Sequence, residues 1–260
     1  MTGLVLAKLF VTIGVVLGLS IVAERISPRW AGILSGYPTG TAITLFFFGL
    51  EISPSFAAHS ALYNVVGLVA SQFFIYIYYR VSLKHSILTT LVLSILGYVI
   101  AIGLLHFIPL KNYLLFILPA VSIVVFTVLF KPIKNEINKK KIKLNVPTIL
   151  LRGLAASVMV LLITSAARLI GPVWSGLFSS FPTTLLPLML IVHLTYDTKH
   201  VHTIIKNVPI GNVALVLYSL TVALMYPPLG IYLGTAAALG AATMYLIGYQ
   251  VAVQRIRTRI

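Results

Sequence analysis

The sequence predicts an all-α polytopic membrane protein with about nine transmembrane helices, arranged as an inverted 4+1+4 repeat. Its composition, its apolar segments and a repeated motif support this prediction. Of 260 residues, 59% are hydrophobic and only 9% are charged, whereas a soluble domain carries about a quarter charged residues. The composition excludes a soluble domain and a disordered chain, and the absence of cysteine excludes thiolate metal sites.

Nine apolar segments are long enough to cross a bilayer, whose core of about 30 Å requires roughly 20 residues per helix. The predicted spans are 3–23, 29–50, 57–79, 86–108, 112–130, 147–169, 173–195, 202–225 and 229–253.

Loop charge predicts that the N-terminus is outside and the C-terminus is cytoplasmic. The longest loop contains six lysines, Lys131, Lys134, Lys139, Lys140, Lys141 and Lys143. The positive-inside rule places this loop in the cytoplasm, which leaves little more than Lys111 and Arg168 outside. We expect a prokaryotic cytoplasmic membrane and no nucleic-acid partner. Binding of anionic lipid or nucleic acid is the alternative interpretation of the lysine-rich loop.

A 14-residue motif occurs twice, at an offset of 144 residues. ISPRWAGILSGYPT at 26–39 and IGPVWSGLFSSFPT at 170–183 share seven identical positions. The chain therefore divides into a first four-span repeat at 1–110, a connecting helix and basic loop at 111–146, and a second repeat at 147–260. The single connecting helix inverts the second repeat, an architecture typical of secondary transporters. The alternative is a duplication that only builds a stable bundle.

Each half resembles the small four-span GlpM-like membrane proteins. The resemblance lies in a basic residue early in the first span, followed by an aromatic-Pro-Thr motif early in the second. These residues are Lys8 with Tyr37-Pro38-Thr39 in one half, and Arg152 with Phe181-Pro182-Thr183 in the other. The resemblance covers both halves but not the fifth span, and this chain departs from it by being a fused tandem. It implies the architecture and supplies no substrate.

The two prolines are predicted to break the second span of each repeat near the midplane. Pro38 lies nine residues past Arg29, about 14 Å along a helix. A proline removes a helical hydrogen bond and disfavours helical angles at the preceding residue, here Tyr37 or Phe181. The half-helix that follows would present free N–H groups and the positive end of its dipole, which suits an anion. A plain kink, with hydroxyls bonded back to the helix, is the alternative.

Polar residues around the breaks are the predicted substrate-binding residues. They are Lys8, Arg152, Ser35, Thr39, Thr41, Ser179, Thr183 and Thr184. Lys8 and Arg152 would compensate substrate charge, unless they snorkel to the interface.

Other paired residues are predicted to shape or gate the site. The predicted helix-break and gating residues are Tyr37, Pro38, Phe181, Pro182, Glu24, Arg168, Trp30 and Trp174. Glu24 and Arg168 occupy corresponding positions and would each gate one side, or lie in loops. Trp30 and Trp174 would anchor the spans at the interface or form the wall of a site entrance.

The function predicted from these features is a transporter or flippase. No carboxylates are clustered, the histidines lie near different faces of the membrane and no Gly-x-Ser-x-Gly motif is present, so we predict no enzyme activity, cofactor or metal. The substrate would be a small anion or a phosphate-bearing lipid such as a polyprenyl phosphate, moved by alternating access around a midplane site. The alternatives are a scaffold subunit of a membrane complex and a Na⁺ carrier that uses freed carbonyls. The predicted partners are the bilayer and the anion, and the fused repeat is compatible with a functional monomer.

Overall fold

The regular elements of the described chain are all α-helices, which confirms the predicted all-α class. The computed structural model describes residues 2–25, 37–109, 113–134, 146–196 and 198–257. In chain order the helices are α1 (Thr2–Arg25), α2 (Thr39–Glu51), α3 (Pro54–Ser82), α4 (Ile87–His106), α5 (Leu114–Phe130), α6 (Val146–Ser179), α7 (Leu185–Thr195) and α8 (Thr198–Arg257).

Two of these helices are interrupted by glycine. Gly171 in α6 has φ 74° and Gly230 in α8 has φ 72°. Residues that carry a Cβ rarely adopt this backbone conformation. The first break separates arms 146–170 and 172–179, and the second separates arms 198–229 and 231–257. Gly171 lies between the predicted spans 147–169 and 173–195, and Gly230 lies at the start of the predicted span 229–253.

Four helices are long and apolar enough to cross a membrane by length and composition, namely α3, α4, α6 and α8. Their outward faces carry exposed large apolar side chains, including Leu88 and Ile100 on α4 and Leu162 on α6. A soluble monomer rarely exposes large contiguous apolar patches. These features indicate a membrane protein.

Helix α3 lies at the centre of the bundle and packs against α4, α6 and α8. Two glycines allow it to approach the short arm 172–179 closely. A Cβ at Gly176 would lie 2.7 Å from the Tyr63 Cβ, and one at Gly67 would lie 2.9 Å from the Ser180 Cβ. Since small residues let helix backbones approach, α3 and this arm form a tight pair. They lie beside the second of the two segments that we call the Pro-Thr motifs, Tyr37-Pro38-Thr39 and Phe181-Pro182-Thr183.

Helices α1 and α6 pack together, and each buries a face that corresponds to that of the other at the 144-residue offset. On α1 the buried face consists of Lys8, Thr12 and Val16, which are spaced by four residues. Ala156 and Val160 on α6 correspond to Thr12 and Val16, and they are also buried. The two copies therefore bury the same face of their first helix.

Candidate functional site

The two Pro-Thr motifs meet at one pocket. The pocket has a volume of about 60 Å³. Tyr37 and residues 39–41 line it from the first motif, and residues 180–185 line it from the second. Helix α3 contributes Leu68, Ser71 and Ile75, while α8 contributes residues between Asn207 and Leu215. The motifs are 144 residues apart in sequence but face the same cavity.

In the first motif the helix begins directly after the proline. Pro38 precedes the first residue of α2 with φ −74° and ψ 40°, so it is not helical. The Thr39 N–H donates to the Tyr37 carbonyl at 2.7 Å, and the Ala42 N–H donates to the Pro38 carbonyl at 2.7 Å. This geometry agrees with the predicted break and directs the N-terminus of α2 to the pocket.

The second motif repeats the same backbone pattern. The Thr183 N–H donates to the Phe181 carbonyl at 2.7 Å, and the Leu186 N–H donates to the Pro182 carbonyl at 2.8 Å. Helix α7 then begins at Leu185. The first N–H groups of a helix lack intrahelical acceptors, and they carry the positive end of its dipole. Two such helix ends therefore lie at the pocket.

Close approach of the two motifs depends on Gly40. A Cβ at this position would collide with the Thr183 hydroxyl and would lie 3.4 Å from the Thr184 Cγ2. Gly40 thus leaves the space that the Thr183 hydroxyl occupies between the two helix ends.

Two buried polar atoms that line the pocket lack a hydrogen-bond partner within the described part of the chain. They are the Thr183 Oγ1 and the Asn212 Nδ2, and the two residues are only 2% and 4% exposed. Most buried polar atoms in folded proteins are hydrogen-bonded. These two are therefore the best candidates to contact a ligand.

Other predicted hydroxyls have different surroundings. Thr39, Thr41 and Thr184 line the pocket. Ser179 does not, because it lies in an internal network where it accepts a hydrogen bond from the Asn64 Nδ2 at 2.8 Å and donates to the Gly176 carbonyl at 2.7 Å. Ser35 and Trp30 lie outside the described residues, and so does the Glu24 side chain.

The structure places Lys8 away from the pocket, in an ion pair that the sequence analysis missed. The Lys8 Nζ lies 2.6 Å from the Glu51 Oε1, and the two side chains are 4% and 12% exposed. Glu51 ends α2, and twelve residues separate it from Thr39, about 18 Å along the helix. The sequence contained a signal for this pairing. In the predicted topology, the first span begins and the second span ends on the outer side of the membrane, so Lys8 and Glu51 lie near the same surface.

Arg168 also reaches the C-terminal end of α2, where its guanidinium donates to the Glu51 carbonyl. Cations are favourable at this end of a helix. We call Lys8, Glu51 and Arg168 the charge cluster.

Neither Lys8 nor Arg152 lines the pocket, so the structure does not bring the two predicted charge-compensating residues to the Pro-Thr motifs.

Trp174 lies outside the pocket lining and stacks on His106, with ring centroids 4.3 Å apart. It also lies beside Phe178, at 5.9 Å between centroids. This geometry holds the short arm 172–179 against the end of α4.

Sequence reasoning did not identify Asn212 or Gly40 as site residues. The available signal for Asn212 was a polar amide within an apolar span, but Asn64 and Asn207 share that property. Only the three-dimensional arrangement distinguishes Asn212, which lines the pocket and has a buried Nδ2 without an acceptor in the described residues.

Comparison of the chain with protein-family models, with curated proteins and with solved structures found no match, and the resemblance to the GlpM-like proteins stays a prediction.

Proposed function

We propose that this protein is a membrane carrier that moves an anionic substrate through the pocket at the two Pro-Thr motifs. The observation that carries the proposal is the convergence of two helix N-termini on a pocket with unpartnered buried polar atoms. Backbone N–H groups and the positive ends of helix dipoles favour anions. The described lining contains hydroxyls and amides but neither Asp nor Glu, so nothing in it would repel a negative charge.

An inverted 4+1+4 repeat with nine spans would give this pocket two equivalent approaches. The matching backbone bonds at Thr39 and Thr183 support this arrangement, and so do the matching buried faces of α1 and α6. The break at Gly230 allows α8 to supply two spans, whereas the break at Gly171 allows α6 to supply one span and the start of the next, which α7 would continue. In this proposal the N-terminus is outside and the C-terminus is cytoplasmic, in the cytoplasmic membrane of a prokaryote.

The charge cluster would form the outer closure of the carrier. Helix α2 runs from the pocket at Thr39 to the cluster at Glu51, so movement of one end is transmitted to the other. Lys8 and Arg168 connect α2 to α1 and α6 through Glu51. Opening the outer side would require these contacts to break, which gives Arg168 the gating role predicted from sequence and moves Lys8 into the same role.

The substrate in this proposal is a small oxyanion or the phosphate headgroup of a lipid such as a polyprenyl phosphate. Both present charged oxygens to the same donors. A reconstituted system tests the proposal and separates the two sources. Proteoliposomes loaded with unlabelled phosphate or sulfate are assayed for uptake of the labelled anion, and vesicles carrying a labelled polyprenyl phosphate are assayed for exchange between leaflets.

We expect one of these substrates to cross faster than in protein-free vesicles, and we expect Thr183→Val to reduce the rate. Gly103→Ala is the matched control, since a Cβ at Gly103 has no neighbour within 4 Å. Transport of Na⁺ but of no anion would overturn the anion assignment. Absence of any transport would favour the scaffold alternative.

A further inference from the structure

We propose that Asn212 is a ligand-binding residue and that it forms, together with Thr183, an oxyanion site built from neutral donors. This inference rests on the proposed function, since it concerns the same pocket. It adds a residue from α8 to a site that the sequence places only on the two Pro-Thr motifs. It also defines the ligand as one that supplies charged oxygens, such as phosphate, sulfate or a phosphate monoester headgroup.

The three described asparagines within apolar helices differ in what their amides do. Asn64 is fully used, because its Nδ2 donates to Ser179 and its Oδ1 accepts from Ser219, both at 2.8 Å. The Asn207 Nδ2 donates to the Thr203 carbonyl at 2.9 Å in an exposed position. Asn212 alone combines a buried side chain, a place in the pocket lining and an Nδ2 without an acceptor in the described residues.

The Asn212 amide is a candidate ligand contact because it is buried without an acceptor in the described residues. An amide withdrawn from water without a hydrogen-bond partner raises the free energy of the folded state. The pocket holds two such groups, the Asn212 Nδ2 and the Thr183 Oγ1. A ligand oxygen that accepts from both groups removes this cost for each of them, which favours binding over the empty pocket.

The choice of an oxyanion follows from the other lining groups. The N-terminal ends of α2 and α7 add positive dipole ends, and Thr41 and Thr184 add hydroxyls. Lys8 does not supply a counter-charge, because Glu51 neutralises it at the far end of α2. The donors at the site are therefore uncharged, and they stabilise a negative oxygen by hydrogen bonding and by dipoles.

The test replaces the amide by an isosteric carboxylate. In Asn212→Asp the donor becomes an acceptor with negative charge, at nearly unchanged volume. Asn207→Asp is the matched control, because it adds the same charge to the same lining while its Nδ2 is engaged by Thr203. Binding of inorganic phosphate, sulfate and a detergent-solubilised polyprenyl phosphate is measured on the purified full chain by titration calorimetry and by thermal unfolding.

We expect the parent to bind at least one of these probes and Asn212→Asp to weaken that binding at least tenfold, roughly the value of a hydrogen bond to a charged group. Asn207→Asp should keep the affinity within about threefold, as its charge is more exposed and screened. If Asn212→Asp does not fold, Asn212→Ala gives the same comparison, because alanine removes the donor without adding charge.

Three results separate the possible failures. Parental affinity in Asn212→Asp would overturn the role of Asn212 and leave the proposed function standing. An equal loss in Asn207→Asp would show that general charge, and not a specific donor, controls binding. If the parent binds none of the oxyanion probes, the proposed function fails along with this inference.

Discussion

The two Pro-Thr motifs share two backbone hydrogen bonds and differ in their side-chain surroundings. In both, the threonine N–H donates to the carbonyl two residues back at 2.7 Å, and the residue three positions later donates to the proline carbonyl. The Thr39 hydroxyl lies 3.5 Å from the Tyr37 carbonyl, whereas the buried Thr183 hydroxyl has no acceptor in the described chain.

The aromatic residues of the motifs differ as well. The Tyr37 hydroxyl lies 3.3 Å from the Thr243 Oγ1, while Phe181 packs against Phe74 and Tyr98. The two copies therefore share these backbone hydrogen bonds and differ in their side chains. From this difference we expect the ligand to contact mainly the second motif, while the first motif supplies a helix end and, at Gly40, the space for the Thr183 hydroxyl.

The largest expected effect comes from breaking the charge cluster, which fixes the far end of the first motif's helix. Lys8→Met leaves the buried Glu51 carboxylate without its ammonium partner, so we expect a loss of about 3–5 kcal/mol in the free energy of unfolding. Denaturant unfolding in mild detergent measures it. The double variant Lys8→Met, Glu51→Gln should recover much of the loss, because it removes both charges. A loss below about 1 kcal/mol in the single variant, as for an exposed ion pair, would show that the cluster does not hold α2.

The second largest effect is expected when a side chain is added at Gly40, in the narrow space between the two Pro-Thr motifs. Gly40→Ala places a methyl group against the Thr183 hydroxyl, and overpacking of this kind costs about 1–3 kcal/mol. We also expect weaker binding of the anion that stabilises the parent, because the hydroxyl must move. Thermal unfolding with and without that anion measures both changes. Gly103→Ala, where the new methyl group meets nothing within 4 Å, should leave binding unchanged, and equal behaviour of the two variants would contradict the close approach.

Substitution of Thr39 and of Thr183 gives the sharpest test of the difference between the two motifs in ligand contact. Thr183→Val removes a hydroxyl that is free to bind the ligand and should cost about 1 kcal/mol of binding free energy, roughly fivefold in affinity. Thr39→Val should change the affinity less, since its hydroxyl lies beside the Tyr37 carbonyl. Calorimetric titration of both variants with the same anion compares them. Equal losses would mean that both motifs contact the ligand in the same way.

The smallest effect is expected at the aromatic position. Tyr37→Phe makes the first motif match the second and removes a weak contact with Thr243, so the free energy of unfolding should fall by no more than about 1 kcal/mol. Thermal unfolding measures this change, and anion affinity should stay at the parental value. A large loss of affinity would place the Tyr37 hydroxyl among the ligand contacts.

Sequence could predict the helical class and the position of the breaks, because proline and glycine act locally. Pro38 directly precedes α2, and Pro182 lies between the arm 172–179 and α7. Proline acts through a missing N–H and a steric clash, and neither effect requires tertiary structure. The sequence also predicts one midplane site around the two breaks.

Side-chain partners could not be predicted in the same way. Lys8 and Arg152 correspond in sequence, and only packing shows that Lys8 is neutralised by Glu51 from the end of another helix. Likewise, Thr183 belongs to the second Pro-Thr motif, and Ser179 is a polar residue just before that motif. Ser179 is withdrawn into a network with Asn64, whereas Thr183 faces the pocket.

We propose above that one pocket at the Pro-Thr motifs is reached alternately from the two sides of the membrane. Since the chain has no cysteine, a single Leu215→Cys variant reports access to the pocket lining. The measurement is its rate of modification by a membrane-impermeant maleimide, in right-side-out and in inside-out vesicles. Leu162→Cys, an exposed apolar position on α6, is the lipid-facing control.

If access alternates, we expect Leu215→Cys to react from both sides, a bound anion to slow both reactions, and Leu162→Cys to react from neither side. Reaction from one side only, unaffected by any anion, would identify a fixed cleft and contradict alternating access.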